Sequence, residues 1–227
     1  MLIGFYSKSM FSQFDFEDQL NKPVYTADII DPTYGILIYE PLNMFINGDS
    51  TRIEEGYALN GWKEDKYSNG KLLHKGYYIE GQLKVYKNYY PNGNLERNFK
   101  SIDGFRSKAL LYYEDGNLKS EVLYLNDFAI EWTDYFSNGQ IEYYEKYHKS
   151  QYHHLDKKSY YENGQIENEL ILDNKKKLLY TYHEYHTNGS IKLKGHLKYD
   201  MGIYDYVKYG TWSHFDDQGS YTKKDQY

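Results

Sequence analysis

Residues 89–95 read YYPNGNL, and variants of this stretch recur along most of the chain. The other copies are KYSNGKL, YYEDGNL, YFSNGQI, YYENGQI, YHTNGSI and a degraded HFDDQGSY near the C-terminus. Their glycines lie 23, 23, 23, 25, 25 and 30 residues apart, at Gly70, Gly93, Gly116, Gly139, Gly164, Gly189 and Gly219. A nearly fixed period of this length indicates a repeat architecture, so we look for function on a surface. The sequence MFINGDS around Gly48 predicts an eighth, earlier copy.

Each copy predicts a β-hairpin, because Asn-Gly between aromatic and aliphatic residues favours a two-residue turn with positive φ at both positions. Residue positions in each copy are numbered relative to its glycine, which is position zero. A two-residue turn places position −3 opposite +2, and aromatic–aliphatic pairs of this kind stabilise a sheet. The expected inward pairs are Tyr67–Leu72, Tyr90–Leu95, Tyr113–Leu118, Phe136–Ile141 and Tyr161–Ile166.

The same turn places position −4 opposite +3 on the other face, since neighbouring side chains of a strand point to opposite faces. These pairs combine tyrosine with charge: Tyr89–Glu96, Tyr112–Lys119, Tyr135–Glu142, Tyr160–Glu167 and Tyr185–Lys192. A second turn signal separates successive hairpins, for example Glu80-Gly81 and Asp103-Gly104. The prediction is an all-β, elongated, twisted antiparallel meander of hairpin repeats over residues 44–227, with residues 1–43 as a small non-repeat cap.

Charge is unevenly distributed along the chain, whose formal net charge is −6. Residues 1–65 carry four basic and eleven acidic side chains, a net of −7, which leaves +1 for residues 66–227. An acidic segment of this kind would steer a basic partner and repel nucleic acid. The alternative is a soluble cap whose acidity has no role in binding.

Composition narrows the class of protein. The chain has 30 tyrosines and no cysteine, which excludes disulfides and thiolate metal sites and fits a reducing cytoplasm. With a mean hydropathy of −0.87, no apolar run approaches the roughly 20 residues that a membrane helix needs. The N-terminal sequence also lacks the pattern of a signal peptide. We therefore expect a cytoplasmic protein.

Catalytic and metal-binding patterns are weak. None of the motifs GxSxG, HExxH, GxGxxG or a P-loop occurs, so we expect no enzyme, no cofactor and no metal. His148, His153 and His154, with Asp156 nearby, suggest either a metal site or, as the favoured interpretation, an exposed linker between hairpins.

The unit YYxNGxL with its second turn resembles the variant MORN repeat of bacteria. The resemblance covers residues 44–221 and is strongest at residues 89–95, 112–118, 135–141 and 160–166. The Gly-x-Trp element typical of the family has counterparts near Trp62 and Trp212 and is missing from the middle copies. Bacterial proteins of this kind are grouped with the YwqK-family antitoxins, which are encoded beside polymorphic toxins.

This resemblance implies an immunity protein that neutralises a cognate toxin, with a nucleic-acid-targeting enzyme as the expected toxin. We expect a monomer before binding, with a protein as partner and neither nucleic acid nor membrane. Two surfaces compete for the toxin. One is the −4 row of Tyr89, Tyr112, Tyr135, Tyr160 and Tyr185; the other is the acidic segment with Asp15, Glu17, Asp18, Asp28 and Asp31. The rival functions are a MORN-type scaffold or membrane-surface protein and, less favoured, an enzyme or the toxin itself.

Overall fold

A computed structural model describes residues 36–227. Two short 3-10 helices, Ile36–Leu42 and Met44–Ile46, precede sixteen strands. The strands are β1 (Ile53–Glu54), β2 (Tyr57–Ala58), β3 (Gly61–Lys66), β4 (Leu72–Ile79), β5 (Gln82–Tyr89), β6 (Leu95–Ser101), β7 (Arg106–Tyr112), β8 (Leu118–Leu125), β9 (Phe128–Tyr135), β10 (Ile141–Tyr147), β11 (His154–Tyr160), β12 (Ile166–Asn174), β13 (Leu179–Tyr185), β14 (Ile191–Asp200), β15 (Asp205–Phe215) and β16 (Tyr221–Gln226).

Strands β3 to β16 form one 14-stranded antiparallel sheet in which every strand pairs with its neighbours in sequence. The predicted all-β meander of hairpin repeats is confirmed. The eighth copy around Gly48 is wrong, because Asn47 follows a 3-10 helix and the Gly48 amide donates to the carbonyl of Asn43. The sheet therefore begins at Gly61, and β1 and β2 form a separate two-stranded hairpin.

The loop of each repeat has three residues, which corrects the predicted two-residue turn. In the second copy the Tyr90 amide donates to the carbonyl of Asn94, and the Gly93 amide donates to the carbonyl of Tyr90, both at 2.8 Å. Gly93 has a φ of 98°, whereas Asn92 is not among the residues with positive φ. This is a type I turn closed by a glycine bulge.

The extra loop residue shifts the pairing by one position. Position −4 now lies opposite +2, as in Tyr89–Leu95, Tyr112–Leu118, Tyr135–Ile141, Tyr160–Ile166 and Tyr185–Ile191. The predicted −3/+2 and −4/+3 pairs are both wrong, because a one-residue change of register moves a side chain to the other face. Tyr113, at −3, instead meets the charged +3 residue of its copy, since the Lys119 ammonium lies 5.7 Å from the Tyr113 ring centroid.

The two faces of the sheet differ in burial. We call the face that carries positions −4 and +2 the open face, and the opposite one the packed face. The packed face holds two apolar clusters built from the middles of the strands, not from the −3 residues as predicted. One lies between residues 38 and 124 and includes Tyr86, Phe99 and Val122; the other lies between 170 and 212 and includes Tyr180, Leu197 and Trp212.

The −3 side chains join neighbouring repeats by hydrogen bonds. Each phenol donates to the carbonyl of the −4 residue of the next copy, at 2.7–2.8 Å: Tyr67 to Tyr89, Tyr90 to Tyr112, Tyr113 to Tyr135, and Tyr161 to Tyr185. A histidine takes this role at the last junction, where His186 Nε2 lies 3.1 Å from the carbonyl oxygen of Phe215. These five hydrogen bonds tie successive repeats together, and Phe136, at −3 of the fourth copy, has no hydroxyl to form one.

The Gly139→Val substitution is expected to lower the free energy of unfolding by about 1–3 kcal/mol, because a β-branched residue resists a positive φ. Gly139 has a φ of 85°, and a Cβ there would meet no atom within 4 Å, so the cost comes from the backbone alone. Gly104→Val is the matched control, since that site is equally open and has no positive φ. Equal urea-unfolding midpoints for the two variants would contradict the turn assignment.

Candidate partner-binding face

The first half of the packed face is closed by the segment before the sheet. The Tyr39 ring stacks on His74 with 3.7 Å between ring centroids, and its hydroxyl donates to Asp65 at 2.7 Å. Farther along, Arg97 donates to the Glu40 carboxylate at 2.7 Å. These contacts hold the 3-10 segment against the strands and remove this area from solvent.

The second half is closed by a polar cluster that the sequence did not predict. The His154 Nδ1 lies 2.7 Å from the Tyr206 hydroxyl, and its Nε2 lies 3.1 Å from Glu145. His154 is in β11 and Tyr206 is in β15, so three strands lie between them in the sheet. The sheet therefore curls towards its packed face here, and the Tyr180 hydroxyl also reaches the carbonyl of His154.

The proton positions in this cluster follow from its contacts. Burial lowers the pKa of His154, so the ring is neutral at pH 7. The Tyr206 hydroxyl accepts from the backbone amide of His154 and so donates to Nδ1, which leaves the Nε2 proton for Glu145. Burial alone would raise the pKa of Glu145, yet hydrogen bonds from His154 and Tyr143 outweigh it and lower the pKa.

Of the three histidines, His148 and His153 lie in the loop between β10 and β11, as the favoured interpretation expected, and His154 begins β11. His154 is buried, which corrects that expectation, while the rings of His148 and His153 stack at 4.8 Å. Within residues 36–227, no group of three or more potential ligands is placed to hold a metal ion.

The open face brings together the five predicted tyrosines. Residues at −6 and +5 form one register row, as in Leu110–Glu121–Thr133–Tyr144–Lys158. Each −4 tyrosine lies two residues along its strand from a −6 residue and therefore shares this face. Together with the +2 residues they form what we call the tyrosine row: Tyr89, Leu95, Tyr112, Leu118, Tyr135, Ile141, Tyr160, Ile166, Tyr185 and Ile191.

Comparison with known families identifies the repeat. A family model described as the MORN repeat variant matches residues 82–98, 108–126 and 154–174. Each match covers one strand, one Asn-Gly-type loop and the strand that follows. These three stretches of the chain are therefore similar to MORN repeats of the variant type.

Similarity beyond this family model is weak. No curated protein matches the sequence. One similar solved chain belongs to the structure titled "Crystal Structure of TcdB2-TccC3-TEV", with 8% identity and a TM-score of 0.20. The alignment covers 78% of this chain and 12% of that chain. At this TM-score the likeness carries no argument about function.

Opposite charges are paired on the open face of the repeats. Salt bridges join Lys108 to Glu121 at 2.7 Å and Lys146 to Glu131 at 2.9 Å. At one end of the tyrosine row, burial and the Glu169 carboxylate raise the pKa of Tyr185 to about 12. This face is thus aromatic along the loop edge, and beside it Lys108 and Lys146 are each paired with a glutamate.

The second predicted surface is the acidic segment. Asp15, Glu17, Asp18, Asp28 and Asp31 all lie outside the described residues. Among residues 36–227, no helix is long and apolar enough to span a membrane.

Proposed function

We propose that the protein is an immunity protein that binds a bacterial toxin through the open face of its MORN repeats. The observation that carries this proposal is the tyrosine row. Ten aromatic and aliphatic side chains follow one another across strands β5 to β14. At about 4.8 Å per strand, the row is roughly 40 Å long, which suits a protein interface.

The residue types of the row favour a protein as the partner. Tyrosine is enriched in protein interfaces because its ring packs while its hydroxyl still bonds to polar groups. The five tyrosines of the row are half-buried in the free chain, so they are held in position before binding. Binding then costs less side-chain entropy than the ordering of a mobile loop.

Charge favours a protein over nucleic acid or an anionic membrane. Both of those partners require clustered unpaired lysine and arginine side chains. On the open face, Lys108 and Lys146 instead lie in salt bridges with glutamates. The MORN-type scaffold or membrane-surface protein remains the second interpretation.

The toxin that we propose is a nucleic-acid-targeting enzyme, neutralised in the cytoplasm of the producing cell. Such an enzyme has a basic substrate cleft, which the acidic segment with Asp15, Glu17 and Asp18 would complement. The tyrosine row would then supply affinity, while the acidic segment would raise the rate of association.

The double variant Tyr112→Ala/Tyr135→Ala is expected to weaken toxin binding about 10- to 100-fold, as truncation of central interface aromatics commonly does. The measurement is survival of cells that co-express the toxin encoded beside this gene, together with the affinity of the purified pair. Tyr57→Ala/Tyr204→Ala is the matched control, because both tyrosines are exposed and lie outside the row. Each variant's thermal melt tests whether it is folded.

The acidic segment is tested separately by changing Asp15, Glu17 and Asp18 together to alanine. We expect slower association with a weaker dependence on salt, and an unchanged fold. Full protection by both the acidic variant and the tyrosine variant would show that neither surface binds the toxin. A genome in which no toxin gene adjoins this one, combined with binding to lipid vesicles, would favour the scaffold interpretation.

A further inference from the structure

We propose that copies of this chain associate head to tail, with β16 of one copy pairing antiparallel with β3 of the next. The 14-stranded sheet would then continue from copy to copy. The surface consists of the two end strands, and the partner is a second copy. This proposal is independent of the toxin and replaces the monomer expected from the sequence.

The ends of the sheet are strands of complementary type. In each repeat an odd-numbered strand leads into the Asn-Gly loop, and an even-numbered strand leaves it. Inside the sheet every even-numbered strand pairs with the following odd-numbered strand, as β4 does with β5. Within residues 36–227 the sheet ends on odd-numbered β3 at one side and even-numbered β16 at the other, so their pairing would repeat an internal junction.

All six internal junctions of this type share one register. Position +4 lies opposite −5 of the next repeat, and +5 lies opposite −6. Examples are His74–Asn88 and Lys75–Lys87 between β4 and β5, and Asn168–Glu184 and Glu169–His183 between β12 and β13. The remaining four junctions agree. The register of a junction between copies can therefore be read from the repeat.

In that register, side chains of opposite charge face each other at three successive positions. Lys223 at +4 meets Asp65 at −5, and Lys224 at +5 meets Glu64 at −6. At the next position, Asp225 meets Lys63. Opposite charges directly across a sheet stabilise the pair, and like charges destabilise it.

The same charges disfavour other pairings of the end strands. Lysine on an edge strand commonly prevents unspecific association. Two copies of β16 paired with each other would bring lysines of both strands close together. In an antiparallel pair, Lys223-Lys224-Asp225 is therefore complementary to a strand that reads Lys-Glu-Asp. Strand β3 has this sequence at residues 63–65.

The pair Lys224–Glu64 is the best test of this junction, because both side chains lie on the open face and are accessible. The Glu64 side chain is 45% exposed and has one salt bridge, to Lys75 at 2.7 Å. Lys224 is exposed and forms no salt bridge with any residue of the described part. Asp65 is less informative, since Arg52 and Tyr39 already bind its carboxylate.

The test uses the full chain in sedimentation velocity over a range of concentrations, at low and at high salt. We expect the wild-type chain to form oligomers whose size grows with concentration, because a head-to-tail contact leaves free ends. Added salt should reduce the association. The single variants K224E and E64K should each weaken association about tenfold, since each places like charges in the junction.

The double variant K224E/E64K restores opposite charges in the junction and should recover association. An equimolar mixture of the two single variants should also associate, because each variant then meets a complementary end. A wild-type chain that stays monomeric at every concentration overturns the proposal. Single variants that associate like the wild type, or a folded double variant that does not recover, overturn the register on which it rests.

Discussion

Replacement of Arg52 by methionine is expected to lower the free energy of unfolding by about 3–5 kcal/mol, as removal of one partner of a buried ion pair does. The Arg52 side chain is 5% exposed, and the Asp65 side chain is 12% exposed. Two guanidinium nitrogens of Arg52 donate to the two carboxylate oxygens of Asp65, both at 2.8 Å. The methionine variant would leave a buried carboxylate whose remaining described donor is the Tyr39 hydroxyl.

The matched control is Arg106→Met. Arg106 forms a salt bridge with Asp103 at 2.7 Å, but these side chains are 55% and 39% exposed. Exposed pairs contribute little, so this variant should change the free energy of unfolding by less than about 1 kcal/mol. Urea unfolding measures both variants. Similar losses of unfolding free energy in the two variants would show that burial does not increase the contribution of the Arg52–Asp65 pair to stability.

Acidification from pH 6.5 to pH 4 is expected to lower the stability by about 3 kcal/mol through His74 alone. Burial lowers the pKa of His74 from 6.5 to about 4, with a smaller lowering from Arg52 that is opposed by Asn88 and Asp65. Below pH 6.5 the His74 side chain is therefore protonated in the unfolded chain, whereas in the folded chain it stays neutral until about pH 4. Stability is complete above pH 6.5 and falls as the pH decreases through this window.

The control for this titration is His74→Gln, which keeps a polar side chain and removes the ionisable group. Both proteins retain His154, so its contribution cancels in the comparison. We expect the loss of stability between pH 7 and pH 4 to be smaller in the variant by about 3 kcal/mol. Parallel curves of unfolding free energy against pH would contradict the buried neutral state of His74.

Much of the fold was predictable from the period of the glycines. Glycines at a fixed spacing, with aromatic and aliphatic residues on either side, predicted the hairpins and their order. The loop length was not predicted, although Pro91 carried the necessary signal. A two-residue loop at Asn92-Gly93 requires the amide of residue 91 as a donor, and proline has none. In the structure the Tyr90 amide closes the loop instead.

The candidate site was predictable only in part. The −4 tyrosines share a face whether the loop has two or three residues, so the row survived the error in register. The cluster of Glu145, His154 and Tyr206 depends on the curling of the sheet across several strands. No local pattern encodes that curvature, and the residues lie 61 positions apart between the first and the last.

Because of the phenol-to-carbonyl hydrogen bonds between repeats, the length of the tyrosine row depends on the number of repeats. Because each bond joins only adjacent copies, one further repeat of about 23 residues can be inserted without changing the contacts of the others. Each insertion adds two strands, or roughly 9–10 Å, to the length of the tyrosine row. Duplication or loss of whole repeats can therefore adapt such a chain to larger or smaller partners without the substitution of any binding residue.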